Sequence, residues 1–261
     1  MVISIINNKG GVGKTMTAQN LGAALALCGK QVCLIDLDSQ HNLTTRYENT
    51  GREEVKDGEL YSNQTIEDYI DNPRLPIRPL KVKDNLYIIP STTRLARVSA
   101  AMYNLSKGQQ PSYKLSNICN AMRQGFDYII VDCAPSMSAL MVNAAVAADM
   151  IIIPVSCQDA LMGAGEGVFE LMDNNKLDTP YYFLQTIYED RLKSNRDRKR
   201  QLLSKAFDHT LHTEIKRNEY LNLSAECGQD VYEYAPKSRG AEDYMTLALE
   251  VIGITSKRRK E

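Results

Sequence analysis

Asn8-Lys9-Gly10-Gly11-Val12-Gly13-Lys14-Thr15 lies between the apolar run Val2 to Ile6 and a helical pattern with Leu21, Leu25 and Cys28 on one face. Gly29 then supplies a helix stop signal. A strand that feeds a glycine-rich turn into a helix N-terminus makes a phosphate site. The glycines let backbone N–H groups converge on the anion, and the positive end of the helix dipole faces it. In this reading Gly10, Gly11, Val12, Gly13, Lys14, Thr15 and Met16 bind a nucleotide. Lys14 reaches the β- and γ-phosphates, and the Thr15 hydroxyl sits on Mg²⁺. The alternative is a turn that merely links strand to helix, and the strand-turn-helix context favours nucleotide binding over it.

With 261 residues the chain makes one large α/β domain or two small ones. Its apolar share of 43% is ordinary for a water-soluble protein. No apolar run approaches the roughly 20 residues that span a bilayer, and the first residues lack a signal-peptide profile, so the expected location is cytoplasmic. The six cysteines are scattered through apolar segments without a C-x-x-C pair, which favours buried free thiols over an iron–sulfur site. A cluster shared across a dimer would, however, need only two per chain. Charge is unevenly placed. Residues 191–217 carry nine Lys/Arg against three Asp/Glu, a net +6, so with −1 overall the remainder holds −7. A basic island in an acidic chain suggests a localised anionic partner.

Strands are expected at Val2–Asn7, Gln31–Asp36, Leu86–Pro90, Tyr128–Asp132, Met150–Val155 and Tyr182–Ile187, with helices near 14–28, 112–124, 138–147 and 196–207. Runs such as Ile151-Ile152-Ile153 suit strands covered on both faces. The alternation of strand and helix implies a doubly wound, mostly parallel sheet flanked by helices. Residues 48–64 are charged and weakly periodic, so a surface insertion is expected there, within a single domain over 1–261. Asp36 and Asp38 end a strand at the carboxyl edge, where open α/β sheets bind ligands, and their spacing of two puts both on one side of the chain. Ile129-Ile130-Val131-Asp132 is an apolar strand ending in an acid that can serve Mg²⁺ through water. Acids often end strands, so the weight rests on their order after the glycine-rich loop.

Lys9 ahead of Gly-Gly-Val-Gly-Lys-Thr, the Asp-Leu-Asp-Ser-Gln run at Asp36–Gln40 with Asn42, Val131-Asp132-Cys133-Ala134-Pro135 and Tyr234–Glu242 together resemble ParA/Soj-type partition ATPases of the ParA/MinD family. The likeness covers nearly the whole chain, in the family's order. It implies a P-loop fold of the deviant Walker A type, with ATP and Mg²⁺ as cofactors and ATP hydrolysis that is slow and partner-stimulated. It implies a homodimer on ATP binding, nonspecific DNA and a ParB-type centromere-binding protein as partners, and a nucleoid-associated location. Plasmid, chromosomal or mobile-element DNA would be the cargo. Residue by residue, Lys9 would reach across the dimer to the partner's phosphates, with Gly10 at the close approach of two protomers. Asp38 would order the attacking water, so Lys9, Lys14 and Asp38 form the catalytic set. Thr15, Asp36 and Asp132 form the metal set, and Pro236 would close over the adenine. Ser39 and His41 replace the Pro and Gly common in the family, and Gln158-Asp159-Ala160 replaces its Glu and two aromatics.

Asn175-Lys176-Leu177-Asp178 spells a guanine-reading motif, but it ends a helix ahead of a strand, with Pro180 beyond. It reads as a helix exit, and ATP is the better nucleotide. Cations crowd the start of the helix after residue 190, where the dipole disfavours them, so local stability does not explain them. By the resemblance, Arg191 and Arg217 fall on basic positions used for DNA, and Lys193, Arg196 and Lys216 accompany them. Tyr220 stands where the family has an arginine. The rival for this region is a solvated charged face. A MinD-like membrane-associated positioning ATPase is the alternative function. Against it, Val251, Ile252 and Ile254 fit the end of a core-packed helix with Tyr244 and Leu247, leaving 255–261 as a short basic tail. A redox ATPase of the same fold is disfavoured by the cysteines, and nothing marks the acceptor site of a metabolic kinase.

Overall fold

Along Tyr128-Ile129-Ile130-Val131, alternate side chains enter two separate cores, Ile129 and Val131 in one and Tyr128 and Ile130 in the other. A strand covered on both faces needs apolar residues at successive positions, which is why these runs are continuous rather than alternating. The computed structural model describes residues 1–47, 64–105, 113–156, 161–189 and 191–258. Its strands are β1 (Val2–Ile5), β2 (Val32–Leu37), β3 (Leu80–Lys83), β4 (Leu86–Ile89), β5 (Tyr128–Cys133), β6 (Met150–Ser156), β7 (Tyr181–Tyr188) and β8 (Thr210–Lys216). They form one eight-stranded sheet in the order β3-β4-β2-β5-β1-β6-β7-β8. All neighbours are parallel except β3 with β4.

The helices are α1 (Lys14–Leu27), α2 (Asn42–Thr45), α3 (Ile66–Asp71), α4 (Leu95–Leu105), α5 (Lys114–Met122), α6 (Ala139–Ala147), α7 (Leu161–Asn174), α8 (Lys193–Ala206), α9 (Glu219–Glu226), α10 (Val231–Tyr234) and α11 (Arg239–Arg258). Residues of α1, α9, α10 and α11 pack in one core, and residues of α3 to α8 in the other. From β1 the chain passes to β2 on one side and later returns past β5 to β6 on the other. That reversal places a crevice at the carboxyl end of β1, the position where open α/β sheets take ligands.

The expected strands are present, with ends moved by one or two residues. Two were not expected. β3 and β8 are the sheet's outer strands, and their sequences, Leu-Lys-Val-Lys and Thr-Leu-His-Thr-Glu-Ile-Lys, alternate instead of running apolar. Lysines on such edges also discourage pairing with other chains. α8 starts at Lys193, three residues before the expected position. α11 continues through Arg258, so the first part of the expected basic tail is helix, and Tyr244, Leu247 and Val251 are buried along it. Residues 259–261, Gln158-Asp159-Ala160 and 48–63 of the expected insertion lie outside the described residues. The Asn175–Asp178 stretch follows α7 and precedes β7, at the sheet edge opposite the crevice. Among the described residues, no helix is long and apolar enough to cross a membrane.

Candidate functional site

The glycine-rich loop is tied down at both ends. Buried Asn7 donates from Nδ2 to the Pro154 carbonyl at 2.7 Å, and its Oδ1 accepts from the Lys9 N–H at 2.8 Å. The Thr186 hydroxyl on β7 donates to the Val12 carbonyl at 2.8 Å, so Val12 is a buried anchor of the cradle. Gly11 and Gly13 have φ of 73° and 87°, left-handed values that a side chain would strain. No side chain caps α1 at Gly13. Its first-turn N–H groups are therefore left for an anion. Lys14 Nζ donates to the Lys9 carbonyl at 2.7 Å. Burial lowers the pKa of Lys14, while Asp132, Cys133 and Asp38 nearby act to raise it.

Parallel register sets Asp36 of β2 directly beside Asp132 of β5, and Asp132 beside Ile5 of β1. Asp36 is fully engaged. Its Oδ2 accepts from the Thr44 N–H at 2.8 Å and the Thr44 hydroxyl at 2.7 Å, and its Oδ1 accepts from the Asp38 N–H at 3.1 Å. Both oxygens of Asp132 are buried without a hydrogen-bond partner. Burial first, then the Asp36 charge, pushes Asp132 up to about 8, with the nearby Thr15 hydroxyl acting to lower it. Burial likewise raises Asp36 to about 6, against the hydrogen bonds from Thr44 and Asp38. A buried acid with empty lone pairs beside a hydroxyl fits a hard cation. Among the described residues no three acidic, histidine or cysteine groups converge as a metal cage. Mg²⁺ is commonly held by one or two carboxylates together with phosphates.

These shifts have a measurable sign. An acid whose pKa is higher folded than unfolded holds its proton in the native state. Its stabilising effect is complete below the unfolded value of 3.8 and is lost as pH rises towards 8. Without metal, Asp132→Asn should therefore melt higher than wild type at pH 8, with the gap closing towards pH 4. Melting curves in chelator at the two pH values test this. Equal melting temperatures at pH 8 would mean that Asp132 is not a strained acid. Added Mg²⁺ and nucleotide should stabilise wild type and do less for the variant.

The crevice is a cavity of about 370 Å³. Gly10, Gly11, Gly13, Lys14, Thr15, Met16 and Asp38 line it with Asn42, Arg46, Pro135, Thr186, Ile187 and Tyr244. Ile215, Lys216, Arg217, Asn218, Leu221 and Asn222 close the far side. Asp38 Oδ1 accepts from the Gln40 N–H at 2.9 Å, while its carbonyl accepts from the Ser91 hydroxyl at 2.8 Å. His41 adopts φ 44°, a left-handed value that glycine takes more readily. Pro236 is exposed between α10 and α11 and does not line the cavity. Lys9 is exposed, and its side chain also lies outside this lining.

The basic residues divide. Arg191, Lys193 and Arg196 are exposed where α8 leaves the carboxyl edge. Lys216 and Arg217 are instead part of the cavity wall, and Arg217 Nη1 pairs with Glu189 at 2.9 Å. Lys199 is a packing residue, paired with Glu214 and placed over the Tyr188 ring. Among the wall residues, Arg46, Thr186, Ile187, Ile215, Asn218, Leu221, Asn222 and Tyr244 belong to no motif that points to a ligand. Ile187 alone has a local peculiarity, φ 54° at an irregularity between β7 and β8.

A family model described as an AAA domain matches residues 1–177. The chain is 34% identical over 258 residues to the sporulation initiation inhibitor protein Soj of Bacillus subtilis, covering 96% of this chain and 97% of that protein. It is 32% identical over 262 residues to the chromosome partitioning protein ParA of Caulobacter vibrioides, covering 96% and 93% respectively. Among solved structures, cobyrinic acid a,c-diamide synthase from Mycobacterium smegmatis with bound ATP analogue and magnesium superposes with a TM-score of 0.73. The identity is 25%, over 95% of this chain and 92% of that one.

Proposed function

The chain belongs to the AAA-domain family and, within it, to the ParA/Soj partition ATPases, and from that premise we propose a Mg-ATP-dependent dimerisation switch that binds DNA without sequence preference and positions a DNA cargo. One observation carries the reading. The glycine-rich loop, Asp38 and a basic wall meet around one cavity, with the unpartnered acid Asp132 beneath it. Bound Mg-ATP supplies the triphosphate and the metal. Lys14 leaves the Lys9 carbonyl for the phosphates, and the first-turn N–H groups of α1 cradle them. Thr15 and Asp132 would hold the metal, with Asp36, the third residue of the set, supporting them and itself fixed by its bonds to Thr44 and the Asp38 N–H. Asp38 orders the attacking water, and Lys9, exposed outside its own cavity, reaches a partner protomer's phosphates. Pro236 is held to move towards the base on closure. A ParB-type protein bound at a centromere-like site stimulates hydrolysis, which releases the dimer.

DNA binding rests on Arg191, Lys193 and Arg196, which lie on the same sheet edge as the cavity, so that a dimer doubles the phosphate contacts. Lys216 and Arg217 join the nucleotide site to this patch. Sedimentation with DNA or with liposomes, each with and without ATP, tests the reading. DNA should be carried down only with ATP, with a log–log salt slope of about −0.9 per phosphate neutralised. Arg191→Glu should weaken binding to all sequences alike while ATP-driven dimerisation survives. Tyr220 is 51% exposed, and Tyr220→Arg should steepen the slope. An ATP dimer that ignores DNA at low salt but sediments with liposomes would sink this reading in favour of membrane positioning.

A further inference from the structure

Arg46 follows α2, just beyond the loop that carries Asp38, and its side chain lines the cavity beside Met16. Its Nη1 donates to Gln19 Oε1 at 2.7 Å and lies 3.9 Å from Met16 Sδ. Among the described residues no carboxylate comes within ion-pair distance of it. Gln19 is a fully buried amide inside α1, and its own Nε2 has no partner. Placing a polar amide there is costly unless its oxygen has a task, and that task here is to aim a guanidinium. A partly desolvated cation whose direct partners are neutral, at the wall of a cavity whose loop cradles phosphate, has donors left for an anion.

We infer that Arg46 is a phosphate-binding residue of the nucleotide site, on its α-phosphate side, held in position by Gln19. The inference rests on the ATPase reading above and adds a residue to it. The side of approach follows from α1. Lys14 serves the β- and γ-phosphates and Thr15 the metal between them, whereas Arg46 is held further along the helix, at Met16 and Gln19. A guanidinium presents several donors in a fixed fork, which suits a phosphate better than a lone amide does. Burial lowers the Arg46 pKa while the Asp132, Tyr244, Tyr47 and Asp36 charges raise it, so the cation balances acids of the same site. Because α2 is also held through Thr44 to Asp36, a nucleotide gripped by Arg46 is coupled to the segment that bears Asp38.

The test is calorimetric titration of the full chain with Mg-ATP and with Mg-ADP. Arg46→Gln keeps an N–H for Gln19 and removes the charge. It should weaken both nucleotides about tenfold or more and by the same factor, as expected for a charge-assisted contact to a group they share. Arg46→Lys should recover part of that loss. If Arg46→Gln does not fold, Arg46→Lys carries the test with a smaller equal loss for both. Unchanged affinities beside a binding wild type, or a lower melting temperature alone, would overturn the inference. So would a loss for ATP without one for ADP, which would move Arg46 to the γ end. A wild-type chain that binds neither nucleotide would overturn the ATPase reading and this inference together.

Discussion

Lys14→Ala should leave a folded protein that no longer holds Mg-ATP, with affinity down about 100-fold or more. The lysine is buried, and its ammonium is spent on one backbone carbonyl, that of Lys9. Burial already disfavours its charge, so removing it should cost the apo fold little. In the proposed site the same ammonium would make charge-assisted bonds to two phosphates, each worth about 1.5–3 kcal/mol. Calorimetry on a variant with an unchanged circular dichroism spectrum is the measurement. Tight Mg-ATP binding by Lys14→Ala would show that this loop is not the site. Lower affinity with lower stability would instead point to damage to the loop, because the Lys9 carbonyl would have lost its donor.

Asp38→Ala should bind ATP almost normally, lose about 100-fold in hydrolysis, and accumulate as a dimer. The loss is the size expected when an acid that orders or deprotonates water is removed. The backbone there does not depend on the carboxylate alone, since the Ser91 hydroxyl and the His41 N–H both donate to the Asp38 carbonyl. The loop therefore stays in place when the side chain goes. Lys9→Ala is the counterpart. The Lys9 carbonyl that receives Lys14 belongs to the backbone and survives the change, so nucleotide should still bind while dimerisation or turnover fails. Light scattering with ATP, run beside phosphate release, separates the two. A monomeric Asp38→Ala next to a fully active, dimerising Lys9→Ala would reverse these roles.

Much of this molecule is legible along the chain, because its signals are local. The glycine-rich turn between Ile6 and Lys14 needs left-handed backbone at Gly11 and Gly13, and the stretch Asn8–Thr15 states it. The central strands are buried on both faces, so Ile129-Ile130-Val131 and Ile151-Ile152-Ile153 announce themselves as unbroken apolar runs. The outer strands β3 and β8 do not, since half-exposed edges alternate and resemble loop.

The site divides in the same way. Lys14, Thr15, Asp36, Asp38 and Asp132 could be named from residue type and from their positions at strand and helix ends. That Asp36 and Asp132 stand side by side depends on the register of β2 on β5, a pairing across almost a hundred positions that no local pattern encodes. Burial then raises both acids, an effect of the surrounding core and not of the residues themselves. Tertiary structure also moved Lys216 and Arg217 from a basic run into the cavity wall, because β8 lies parallel to β7 and ends at the same edge. It brought Arg46 to Gln19, two residues with no shared motif, since α2 folds back over the start of α1. Local chemistry determined what the chain binds with. Long-range packing decided which of those groups are neighbours, and how strongly each feels the others' charge.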